Sequence, residues 1–202
     1  MKRWFAMLMA ALLLMAPALA EEIDRQAEAR AAYARVLLDG EAFVAMDEDM
    51  RMPEEWNPVR FTLLDLDGDE VSECIVELTE YEAFIILTWV DGEVLGCEWP
   101  YRGLNKLKDD GTFSFSSGAL DSGVGMLLLQ GDDGPQWGIL PLAESISEED
   151  ENGNVIVTYY LDGGVEETDE DGYLAALAAQ DDKLDALWYT YNEETLKLLL
   201  GR

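Results

Sequence analysis

Between Phe61 and Leu161 the chain is a succession of short apolar, β-branched segments, each closed by a cluster of Gly, Asp or Asn. This punctuation restricts the fold more than anything else in the sequence, because such segments are too short for helices that bury a face, and the clusters between them suit hairpin turns. Strands are expected at 61–64, 74–78, 83–90, 93–99, 112–116, 125–130, 137–142 and 155–161. They would form a mostly antiparallel sheet of seven or eight strands. Ala83 to Val90 is apolar throughout except at Thr88, as a central strand should be, and Asp91-Gly92 is a two-residue hairpin signal.

Helical patterns flank this region. Residues 22–38 are rich in Ala, Arg, Glu and Leu, with Tyr33, Val36 and Leu37 at helical spacing and a stop at Asp39-Gly40. Residues 41–58, with Pro53 and Pro58, read as an irregular connection. Thr168-Asp169-Glu170-Asp171 has capping-box form, and Asn192-Glu193-Glu194 caps a last helix, so 168–200 is expected to be largely helical. Ala186 to Tyr191 fits helix or extended chain equally. The fold class is α+β, a single domain over 21–202 with an N-terminal helix and C-terminal helices; there is no internal repeat.

The first twenty residues combine Lys2 and Arg3, an apolar run from Trp4 to Met15 and the small-residue pattern Ala18-Leu19-Ala20, which is the form of a cleaved secretory signal peptide. The expected product is extracellular, with no membrane anchor after cleavage. The full chain carries a formal charge of −30, and the leader contributes basic residues only, so the mature part is more negative still. Such a field repels phosphate backbones and disfavours nucleic acid as a partner. The chain has no histidine, which excludes Ser-His-Asp and Cys-His nucleophile systems and His-ligated zinc. If strands 74–80, 83–90 and 93–99 form a meander, Cys74 and Cys97 stand two strand spacings apart, about 9 to 10 Å, beyond the reach of a disulfide. They are expected to be buried free thiols.

The turn between the first two strands carries the chemistry. Asp65-Leu66-Asp67-Gly68-Asp69-Glu70-Val71-Ser72-Glu73 puts carboxylates at positions 1, 3, 5 and 9 of a tight loop. Alternate side chains turning inward supply the oxygens that a hard cation such as Ca²⁺ requires, with Asp65, Asp67, Asp69 and Glu73 as side-chain ligands and the Val71 carbonyl at the seventh position. An EF-hand would need flanking helices and a Glu at position 12, where this chain has Val76. The strand context resembles instead the hairpin-tip calcium loops of FG-GAP and integrin propeller repeats. Those loops usually carry Gly after the third Asp; Glu70 stands there and bears a steric cost if φ is positive.

Three phrases extend the resemblance: Phe61 to Ile75; Tyr101-Arg102 with Leu107 to Ala119; and Trp188 to Glu194. In these the chain resembles a recurrent group of exported proteins of anaerobic Gram-positive bacteria, over nearly all of its mature length. The resemblance implies export, a shared fold and a cation loop, and no activity. Within the second phrase, Tyr101, Arg102, Asp110, Ser116, Ser117 and Asp121 could line a polar groove, although strand alternation alone, with Phe113 and Phe115 inward and Thr112, Ser114 and Ser116 outward, also accounts for them. The tryptophans fit core or rim positions. The expected function is a non-enzymatic extracellular binding domain for a protein or glycan ligand, with one structural Ca²⁺ loop. The alternatives are a hydrolase working through two carboxylates, for which no pair is selected, and a carbohydrate-binding module.

Overall fold

The computed structural model describes residues 25–46, 57–79, 83–130 and 135–201. The expected signal peptide, the start of the first helix, most of the 41–58 connection and Trp56 lie outside them. The elements are α1 (25–39), β1 (Val44–Ala45), β2 (Arg60–Leu64), β3 (Glu73–Glu77), β4 (Ala83–Val90), β5 (Glu93–Pro100), a 3₁₀ turn (Tyr101–Gly103), β6 (Thr112–Ser116), β7 (Ser122–Gln130), β8 (Gln136–Glu149), β9 (Val155–Leu161), β10 (Glu166–Thr168), α2 (Glu170–Asp181), β11 (Tyr189–Thr190) and α3 (Glu193–Leu200).

The fold is α+β, but among the described residues the strands are eleven, divided between two sheets rather than gathered in one of seven or eight. The first runs β1-β5-β4-β3-β2-β11 and the second β10-β9-β8-β7-β6. All neighbours are antiparallel except β1 and β5. The extra strands β1, β10 and β11 are two or three residues long, too short to show a period. β8 continues well beyond the expected Leu142, past a bulge at that residue: Val124 and Gly125 of β7 face Ala143 and Pro141, which leaves Leu142 as the extra residue. The β4–β5 turn is as expected: Asp91 and Gly92 both have left-handed φ, 50° and 93°, the requirement of a type I′ hairpin.

Burial orders these parts into layers. Ala29, Ala32 and Tyr33 of α1 and Leu196 and Leu200 of α3 pack with Phe61, Cys74, Val76, Ile85 and Leu87 on one face of the first sheet. Ile75, Phe84, Ile86 and Cys97, on its other face, pack with Phe113 and Leu127 of the second sheet. Tyr173 of α2 covers Val124 and Ala143 on the far side of that sheet. Helix capping follows local chemistry. Asn192 accepts from Thr195 N at the start of α3, and Asp169, rather than Thr168, caps α2 by accepting from Gly172 N. Ala186 to Tyr191 resolves as extended chain ending in β11, which pairs with β2.

Cys74 and Cys97 are free and buried, on the first and third strands of the β3-β4-β5 meander. Cys74 pairs across with Leu87 and Cys97 with Ile86, so consecutive β4 residues place the two thiols on opposite faces of the sheet. Among the described residues no helix is long and apolar enough to cross a membrane.

Candidate cation site

The β2–β3 turn is organised by its own carboxylates. Asp65 accepts from Gly68 N (2.7 Å) and Glu70 N (3.1 Å), Asp67 accepts from Asp69 N (3.2 Å), and Asp69 accepts from Val71 N (2.8 Å). Each short side chain thus folds back on the amides two to five residues ahead, which is how Asp specifies a tight turn. Gly68 and Glu70 both adopt positive φ, 82° and 70°. The strain expected at Glu70 is therefore real, since a Cβ in the left-handed region crowds the backbone.

Two apolar plugs seat the turn. Leu66 is buried in the core between the sheets, and Val71 in the core beneath α1 and α3. These two anchors fix both ends of the loop while Asp69 and Glu70 between them remain exposed.

Oxygens of Asp65, Asp67 and Glu73 converge, with one ligand atom from each lying within 4.8 Å of the others. Asp65 and Asp67 are half-buried, whereas Glu73 is 1% exposed at the start of β3. Its Oε2 accepts from Leu66 N (2.8 Å) and its Oε1 from Thr88 Oγ1 (3.0 Å). Burial, reinforced by the negative charge of Asp67, pushes the Glu73 carboxyl up to about 8 against those two donors. Burial and the neighbouring Asp69 also raise Asp67. A donor set of three hard carboxylate oxygens, short of positive charge and partly withdrawn from water, fits a hard divalent cation such as Ca²⁺.

The remaining residues of the sequence pattern are placed differently. Asp69 is exposed and its Oδ2 is held by Arg25 of α1 at 2.7 Å, outside the converging group. Val71 contributes a buried side chain and an amide bonded to Asp69. Beside it, Gln26 of α1 and Ser72 bond reciprocally, Ser72 N to Gln26 Oε1 at 2.8 Å and Gln26 Nε2 to Ser72 Oγ at 3.0 Å. Arg25, Gln26 and Thr88 were not anticipated. Only Thr88 left a signal, as the one polar residue in an otherwise apolar central strand.

The expected polar groove divides. Tyr101, Arg102, Ser116 and Ser117 join Trp99 and Phe115 around an open hollow of about 550 Å³, and Arg102 Nη2 donates to Ser116 Oγ at 3.0 Å. Asp110 and Asp121 are used elsewhere. Asp110 is bonded to Thr112 and paired with Lys183, which hold it below the usual carboxylate range although burial opposes them, and Asp121 accepts from Ser147 N and Oγ. Strand alternation is followed, with Phe113 in the core between the sheets, but the opposite face does not wholly meet water: Thr112 is buried there against Gln180 of α2. No family model, curated protein or solved structure matches the chain.

Proposed function

We propose that the chain is an exported, non-enzymatic binding domain in which one Ca²⁺ ion, held by Asp65, Asp67 and Glu73, stabilises the β2–β3 turn and the helix docked on it. The observation that carries this reading is the convergence of two loop aspartates on a buried glutamate. The cation would supply charge neutralisation, letting three crowded carboxylates remain ionised in a partly dry site. Through Asp69 and Ser72, the same turn is bonded to Arg25 and Gln26, so ordering it also orders the start of the described part of α1.

Recognition of a glycan is favoured by one feature, the hollow where Trp99, Tyr101 and Phe115 stand beside Arg102 and two serines. Aromatic faces flanked by donors suit a sugar ring. Thermal unfolding of the mature chain with and without millimolar CaCl₂ tests the cation reading: a Kd one hundredfold below the free calcium concentration would stabilise by about 2.7 kcal/mol. The variant Asp65→Asn with Asp67→Asn should not respond, and an equal response from both proteins would refute the site.

A further inference from the structure

We propose that the open edge of β9 at residues 155–158 is a docking site for an extended segment of a partner protein, added as a further strand and carrying basic residues at its ends. The proposal is independent of the cation site.

The ladder between β10 and β9 covers only Tyr159 to Leu161 and ends at the pair Thr168–Tyr159. The next residue, Asp169, caps α2, and the helix turns onto the face of the sheet, where Tyr173 stacks on Tyr159 with ring centroids 5.0 Å apart. Val155 to Thr158 are therefore left with β8 as their only strand partner among the described residues. The opposite margin of the same sheet is closed: Asn105 and Ser114 exchange both backbone bonds along β6, and Lys108 N bonds to Thr112 O.

Sheet edges are ordinarily blunted by lysine, proline, a bulge or a covering segment. β9 has none of these in its sequence Val155-Ile156-Val157-Thr158-Tyr159-Tyr160-Leu161, and Val155 and Ile156 are 58% and 54% exposed. An uncharged, β-branched open edge is what strand addition uses, main-chain bonds giving affinity and alternate side chains giving selectivity.

Charge selects the occupant. Glu149 and Glu148 lie directly across from Val155 and Ile156 on β8, Asp150 and Glu151 follow in the turn, and Glu166 and Glu167 lie on β10. From Asp109 to Asp182 the chain contains no lysine or arginine. A second copy of this chain would bring an equally negative edge, which opposes self-pairing, whereas an apolar strand with basic ends is drawn in.

The test uses the mature chain and a fluorescent synthetic peptide of alternating Val and Thr with two lysines at each end, followed by anisotropy. Saturable binding that weakens with salt is expected, with none for the same peptide ended by glutamates. N-methylation of all central residues of the lysine peptide should weaken binding about tenfold or more, because two or more main-chain bonds are lost. Val155→Lys with Ile156→Lys should lose binding similarly while unfolding at the same temperature; if that variant does not fold, Glu148→Gln with Glu149→Gln replaces it. Equal binding of the N-methylated peptide, no saturation with the lysine peptide, or a dimer in sedimentation that is abolished by the lysine substitutions would each overturn the proposal.

Discussion

Thr88 Oγ1 donates a 3.0 Å hydrogen bond to Glu73 Oε1 across the β3–β4 pair, so the deepest carboxylate of the acidic turn is held by the single polar side chain of an otherwise apolar strand. Both residues are buried, at 1% and 3% exposure, and the bond explains why a hydroxyl is present there. Replacing Thr88 with Val keeps the shape and removes the donor. The expected cost is about 1 to 3 kcal/mol in urea unfolding, because the acceptor stays buried without its partner. Thr88→Ser should retain most of the stability.

Glu70 sits at φ 70° with its side chain exposed. Glu70→Gly removes the crowding of Cβ at that angle, and the greater freedom of glycine in the unfolded chain offsets part of the gain. Unfolding free energy should rise by roughly 0.5 to 1 kcal/mol. Gly68, with φ 82°, should respond oppositely, Gly68→Ala being destabilising.

The Glu73 carboxyl, raised from 4.5 to about 8 by burial, makes stability depend on pH when calcium is chelated. The folded state holds this proton over a range where the unfolded state has released it, so the stabilising contribution is fully present below pH 4.5 and is lost as pH rises through about 8. The loss is on the order of 5 kcal/mol. Urea unfolding in EDTA across this window should show falling stability, and Glu73→Gln should flatten that slope.

Cys74 and Cys97 face opposite cores, and burial raises both thiols, Cys97 to about 12. Neither should react with a thiol reagent in the native protein, and two thiols per chain should be counted after denaturation. A count of zero would contradict the placement of Cys97 beside Ile86 and Cys74 beside Leu87.

What could be read before folding was local. The Asp91-Gly92 hairpin and the Asn192 cap follow from residue chemistry within a few positions, and each is present in the fold, whereas the positive φ at Glu70 was expected only from the resemblance to loops that carry Gly there. The division into two sheets was not legible, because it falls between β5 and β6, consecutive strands that do not pair, and because β1, β10 and β11 are too short to show alternation. The acidic turn was recognisable from its spacing, yet the separation of Asp69 from the converging carboxylates depends on Arg25, forty-four residues away in the chain. Contacts of that range leave no periodic trace.

Calorimetric titration of the calcium-free mature chain with CaCl₂ tests most directly whether Asp65, Asp67 and Glu73 act together as one cation site. Wild type should bind one ion per chain. Glu73→Gln, which keeps an acceptor for Leu66 N and a donor toward Thr88, should remain folded and bind at least about tenfold more weakly, a difference of roughly 1.4 kcal/mol. Equal binding by the two proteins, or no binding by wild type, would contradict the account.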